Sequence, residues 1–578
     1  MFSGCTALTT IEISEEIKIN NMEHMFYNCR GLTKINSITN FNTQSVQNMD
    51  SAFYNCISLT TLDFSKFSFN SATNLNYMFK GCTKLASLKS FKIEASNCQS
   101  MTEMFYDCQS ITTLDFSAFD NNKIDSMSKL FYNCQALQSL SLANFQGKLI
   151  SDLSYMFYNC KNLANVNFGR LKSSKQINVE HMFESCTKLG SVQFPNSNGF
   201  SNSKSMFYKC LSITNIDLSE ITLTQINDMS QMFYDCSIVE TITFKSNIQN
   251  CISQINMDSM FYNCKKLRTL NLNGLKATIN NMNQMFYNCY DITQISLSNL
   301  DTSQVTTMYS MFYKCKSLTN LDLSIFKTEN VRNMEYMFAY CSSLIDLKIA
   351  SFNTIRVTSM KSMFYDCNHL TSLDLSSFVV SNVQNMDHMF ENCYFLNKLV
   401  QNFGSSSVKN LNSMFSECNS LKSLDLSNFI TTAIDMSKMF YRCLYLSSLN
   451  ISNFDLSSVT DMSYMFEQCS HLTSLDFSVY ETGALKNMAH LFYECSSLTY
   501  LKLSKFKTNG VDDMDSLFYN CSSLTDLDLS SFDTANVNNM RYMFYNCKKL
   551  KNLVISSFKV INVENMEISF VIVHHLNL

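Results

Sequence analysis

Two thioethers and a thiol recur together along this chain, as in Met540, Met543 and Cys547, at a spacing that gathers soft donors on one side of a short segment. Such a trio has the chemistry to hold Cu(I). All 35 methionines stand seven or four residues before the repeat cysteine position, which keeps its cysteine in every copy up to Cys547 and is Val573 in the last. A phenylalanine, which ligates nothing, stands three residues before each of these cysteines. The trio is therefore assigned to core packing, with unbranched Met filling the seam beside the ring. The cysteines themselves admit three states. Equivalent atoms of adjacent repeats lie about 5 Å apart, within disulfide reach, but side chains in a ladder point the same way, which favours buried free thiols. Disulfides between adjacent repeats are the alternative, and zinc lacks any Cys-x-x-Cys or Cys/His spacing to use.

The histidines do not gather. His24, His181, His388 and His490 each lie five residues before a cysteine, on distant repeats, and are expected on the polar side of a short helix facing solvent. No nucleophile elbow, H-E-x-x-H or phosphate-cradling glycine loop occurs, so the chain is expected to be no enzyme and to take no cofactor or metal. A column of carboxylates is more suggestive. Asp63, Asp115, Asp217, Asp322, Asp374, Asp425, Asp476 and Asp528 each stand seven residues after a cysteine, with Lys89, Lys348 and Lys502 interrupting. One role for an outward column of this kind is solubility. The other is contact with a partner, and these eight residues are the candidate ligand-facing positions.

The elements that position these groups follow from a repeat of 24 to 28 residues, most often 26, measured cysteine to cysteine. A period in this range marks a stacked solenoid in which no unit can bury its own apolar face. Met540, Met543, Phe544 and Cys547 stand at i, i+3, i+4 and i+7, the spacing of one face of a helix, and predict a two-turn helix held by its neighbours. In Leu524 to Ser530, Leu527 and Leu529 alternate with Asp526, Asp528 and Ser530, the period of a short strand. Phe532 returns to the core, Asp533 to Asn536 form a turn, and Val537 leads to the next helix. Leu524-x-x-Leu527-x-Leu529 matches the strand of leucine-rich repeats and recurs at Leu318, Leu321, Leu323 and at Leu370, Leu373, Leu375, so successive strands are expected to be parallel.

With these parts in order, the unit L-x-x-L-D-L-S-x-F-x-T-x-x-V-x-N-M-x-x-M-F-Y-x-C resembles the 26-residue repeat of BspA-like leucine-rich-repeat surface proteins. The resemblance covers nearly the whole chain. It implies an α/β leucine-rich-repeat-like solenoid, curved, with one short parallel strand and one short helix per repeat. It also implies a cell-surface or extracellular position and adhesion to protein or glycan ligands. The shared residues, such as Phe364 and Cys367, are structural, and no catalytic residue transfers.

Composition sets the remaining bounds. The chain has 578 residues, 46% of them apolar, and a formal charge of -4 that provides no basic footprint for nucleic acid. Residues 1–566 are expected to form a single array of about 22 repeats. The rhythm breaks at 186–264, where one repeat shortens around Pro195 and another lengthens around Cys251; a bend is expected there. Residues 567–578 decay from the pattern without a polar cap, which suggests a fragment of a longer protein or ends covered by a partner. No apolar run approaches the roughly 20 residues that span a bilayer. No signal peptide opens the sequence, so a cytoplasmic scaffold using the same face is the alternative to a surface adhesin. A soft-metal or redox array is the third reading.

Overall fold

The computed structural model describes residues 1–567 apart from 117–118, 120–122, 143, 169–170, 195–197 and 248. Pro195 and the decayed end from Ile568 onward lie outside the described residues. The chain divides into two compact units, Met1–Asp301 and Thr302–Leu578. Each is a parallel β-solenoid of leucine-rich-repeat type, and together they make about 20 turns.

The strands lie where the Leu-x-Leu alternation places them, and they are short. Ser372–Leu375 pairs with Lys398–Gln401, and Asp526–Asp528 with Asn552–Val554, in parallel and in register, so that Leu373 faces Leu399 and Leu527 faces Leu553. Leu373, Leu527 and Leu553 are buried and Leu399 half-buried, and the residues before and after each are more exposed, as period-two alternation requires. A second parallel ladder runs through the position eight residues before each cysteine, for example Asn487, Asp513, Asn539 and Asn565.

The helix expected in every repeat is absent from the described residues. Among the described residues the one helical element is a 3-10 turn at Ile38–Asn40. In the segment Met360–Cys367, Ser362 and Asp366 have φ of 52° and 59°, the left-handed region that a right-handed helix cannot contain. The segment is a staircase of turns instead. Met363, Tyr365 and Cys367 donate their N–H to the carbonyl three residues back, at 3.1, 3.1 and 3.2 Å. The alternate residues Met360, Ser362, Phe364 and Asp366 donate to Asn385, Asp387, Met389 and Glu391 of the next repeat, at 2.8–2.9 Å. The physical reason is satisfaction of the backbone. An isolated two-turn helix leaves most of its terminal N–H and C=O groups unpaired, whereas the staircase hands every second N–H to its neighbour. Both geometries return a side chain inward about every fourth residue, so apolar spacing could not separate them. One signal could have: the residue before the cysteine is Asn, Asp or Gly in most copies, the types that enter the left-handed region at least cost.

The core is a set of columns. The phenylalanine rings stack at 5.6 Å between Phe338 and Phe364, 5.4 Å between Phe364 and Phe390, and 5.2 Å between Phe390 and Phe415. Each of these rings is fully buried, a contribution of roughly 1.5–3 kcal/mol per side chain before packing gains. The cysteines are free, and all but Cys5 and Cys251 are buried. Cys367 Sγ donates to Phe338 O of the previous repeat at 3.2 Å and Cys393 Sγ to Phe364 O at 3.2 Å, so each thiol adds a second donor to a carbonyl that already accepts the N–H of its own turn.

The threonine of the F-x-T step, whose role the spacing does not reveal, also satisfies backbone groups of the neighbouring repeat. Thr354 Oγ1 accepts the Val379 N–H at 2.8 Å and donates to the Val379 carbonyl at 2.9 Å, and Thr302 and Thr328 repeat the arrangement with Lys327 and Asn353. The irregular stretch 186–264 is absorbed locally as shifts of register, between Phe200 and Asn202 and between Asn250 and Gln254.

Candidate functional site

A short strand between two inward apolar side chains can show only its outward side chains, and seven of the eight aspartates stand on such strands, Asp115 lying two residues after an isolated bridge at Thr113. Asp115, Asp217, Asp322, Asp374, Asp425, Asp476 and Asp528 are exposed and Asp63 is half-buried. Seven of them share a further task that the sequence reading missed. Oδ1 of Asp63, Asp217, Asp322, Asp374, Asp425, Asp476 and Asp528 accepts the N–H of the serine two residues on, at 2.9 Å in each case. Asp-x-Ser thus ends each of these seven strands as a side-chain turn. The same serine, through hydroxyl and amide, holds the carboxyls of Asp322, Asp374 and Asp476 below the ordinary range; for Asp425 and Asp528 the amide is the leading cause. Lys89, 2.8 Å from Asp63, leads in bringing that carboxyl down to about 2.

The second unit spaces these charges regularly. Along the outward column the residues are Asp322, Lys348, Asp374, Val400, Asp425, Asn450, Asp476, Lys502, Asp528 and Val554, with carboxylates on every second strand. Strands lie about 4.8 Å apart, and like charges directly opposite one another destabilise a sheet. Alternation doubles the separation to about 10 Å, close to the screening length at physiological salt. Of the two intervening lysines, Lys348 pairs, its Nζ 3.6 Å from Asp322, and Lys502 Nζ lies 5.3 Å from the Tyr500 ring centre. The strip is a mixed polar face with a fixed pitch. The eight aspartates are not brought together into a pocket.

A different face carries aromatic rings. The tyrosines two residues before the cysteine stack at 4.4 Å between Tyr106 and Tyr132 and 4.5 Å between Tyr132 and Tyr158, with their edges half-exposed. Lys80 replaces a tyrosine in this column, and its ammonium sits 4.4 Å from the Tyr106 ring centre and pairs with Glu103. The histidines expected on a helix occupy left-handed turn positions on this face, His181, His388 and His490 being half-buried and His24 exposed.

The soft-donor columns point inward. Met360, Met363 and Cys367 of one staircase are fully buried, and the exceptions along these columns are Met1, Cys5 and Met566, which are exposed. Among the described residues no group of three or more His, Cys, Asp or Glu side chains converges as a metal site. Among the same residues no helix is long and apolar enough to cross a membrane.

Solved structures similar to this chain include a leucine-rich-repeat protein from Bacteroides ovatus, 14% identical over 72% of this chain and 86% of that one, with a TM-score of 0.40. Another is a leucine-rich cell-surface protein from Faecalibacterium prausnitzii, 16% identical over 57% and 83% of the two chains, with a TM-score of 0.30. A third is a leucine-rich-repeat protein from Leptospira interrogans, 13% identical over 71% and 90%, with a TM-score of 0.23. No curated protein matches the chain. Residues 153–282 match the BspA-type leucine-rich-repeat region in six copies. Residues 1–114, 255–373, 358–476, 420–500 and 472–577 match the family described as Mycoplasma protein of unknown function, DUF285. The chain belongs to this DUF285 family of BspA-like leucine-rich-repeat proteins.

Proposed function

We propose that this chain is a non-enzymatic recognition solenoid that works outside the cell as an adhesion surface, with its strand face contacting a protein or glycan ligand. A leucine-rich-repeat architecture suits protein interaction in general. The observation that carries the finer reading is the outward strand column: one outward side chain per repeat, most of them polar, held on a hydrogen-bonded parallel backbone, with Asp374, Asp425 and Asp476 spaced at two strands. A long polar face of this kind matches an extended macromolecule better than a pocketed small molecule.

The Asp-x-Ser turn dictates how to test it. Replacement by lysine would remove both the charge and the strand-ending acceptor, confounding binding with folding. Asn keeps Oδ1 and removes the charge. The triple variant Asp374→Asn, Asp425→Asn, Asp476→Asn should keep the thermal transition of the parent and lose at least tenfold in affinity for ligands found on protein and glycan arrays. Unchanged affinity in the folded variant removes the strip from the binding surface. Labelling of intact cells with an impermeant reagent tests the location separately.

A further inference from the structure

Among the described residues, His490 is the histidine whose two ring nitrogens face carboxylates of both neighbouring repeats. Its Nε2 lies 3.0 Å from Asp515 Oδ2 in the repeat that follows. Its Nδ1 lies 3.3 Å from Glu467 Oε2 in the repeat that precedes, close enough for an ion pair but outside hydrogen-bond geometry, and neither of these two buried atoms has a hydrogen-bond partner. The ring is sandwiched at 4.7 Å against Tyr464 and rests 5.0 Å from Tyr493. The side chains of His490, Glu467 and Asp515 are 23%, 12% and 8% exposed, so water contributes little to satisfying them.

A neutral imidazole has one N–H. Whichever nitrogen carries it, the other presents a lone pair to a carboxylate, and a buried oxygen goes without a donor. The imidazolium presents an N–H and a positive charge to both. The other groups around the ring do not supply the missing proton. Asp515 Oδ1 is taken by Arg541 Nε at 3.0 Å, Asp513 Oδ1 accepts the Asp515 N–H at 2.9 Å, and Glu494 accepts from Gln468 at 2.9 Å. Tyr464 and Tyr493 are pushed up by burial, Tyr493 to about 12, and stay neutral through the histidine range.

We propose that His490 is a pH-sensitive staple, joining the repeats of Glu467, His490 and Asp515 as an imidazolium and releasing them as a neutral ring. Burial works against the charged form, but the two carboxylates outweigh it and the net shift is upward from 6.5. A raised folded value sets the sign. The stabilisation is fully present below the unfolded value of about 6.5 and is lost as pH rises through the folded one. His388 is unlike it: the carboxylates beside its ring, Asp387 and Glu391, belong to its own repeat.

The test uses the full chain with ring-labelled histidine. The His490 ring resonance, assigned by its loss in His490→Gln, should titrate with a midpoint above 6.5, and Glu467→Gln should lower that midpoint by about one pH unit. Amide exchange at residues 489–493, corrected for intrinsic rates, should show less protection at pH 9 than at pH 6 in the parent. The difference should disappear in Glu467→Gln, while residues 360–367 stay unchanged in both. A midpoint at or below 6.5 overturns the proposal. So does an equal loss of protection in the variant. Should His490→Gln fail to fold, assignment passes to His490→Asn and the exchange readout still rests on Glu467→Gln.

Discussion

Thr354→Val is close to isosteric, yet it should destabilise the solenoid where hydrophobicity alone predicts a gain. Thr354 is fully buried and its hydroxyl closes a two-way clasp on Val379, accepting the N–H at 2.8 Å and donating to the C=O at 2.9 Å. Valine retains the volume and leaves both backbone groups without their partner. A buried backbone group without a partner costs about 1–3 kcal/mol. Because Val379 itself is 39% exposed, water recovers part of the loss, and about 2 kcal/mol is expected for the pair. Thr354→Ser keeps the clasp and gives up one methyl, about 1 kcal/mol. The order of stability is therefore Thr, then Ser, then Val. Repeat arrays unfold in parts, which makes a single global free energy a poor readout. The assay is amide exchange at Val379, where 2 kcal/mol corresponds to a loss of protection of about 30-fold. Valine matching or exceeding threonine would refute the clasp as a source of stability.

Two other outcomes follow from the backbone and the thiols. Ser185 holds φ of 62° at the position before its cysteine; Ser185→Gly should raise local stability by up to about 1 kcal/mol and Ser185→Val should lower it by 1–2 kcal/mol, read by exchange or urea midpoint. In a native thiol titration Cys5, which is exposed, should react at once and Cys251, pushed up to about 11, slowly. The buried column, exemplified by Cys341 at about 12, should react after unfolding without prior reduction. A requirement for reductant would establish disulfides between adjacent repeats instead.

Much of this was legible in the residues because a repeat repeats its errors as faithfully as its rules. Leu524, Leu527, Leu529, Phe532 and Val537 are all buried, where the alternation and the returning phenylalanine placed them. The aspartate column faces outward as expected, but its bond to the serine amide is a local turn that a charge-based view of the column passes over. The alternation of carboxylates from Asp322 to Asp528 was present in the letters and emerges once adjacent strands are known to be in register.

By itself the sequence determined the period, the parallel strand and the composition of the core columns, since each depends on apolar spacing within one repeat. Tertiary structure decided what Met360 to Cys367 is. Its choice between helix and turn staircase rests on where alternate N–H groups find acceptors, and those acceptors, Asn385 to Glu391, are about one repeat away. The clasp of Thr354 on Val379 and the staple of Glu467, His490 and Asp515 have the same origin. Each joins polar groups of different repeats, and only stacking brings them within bonding distance.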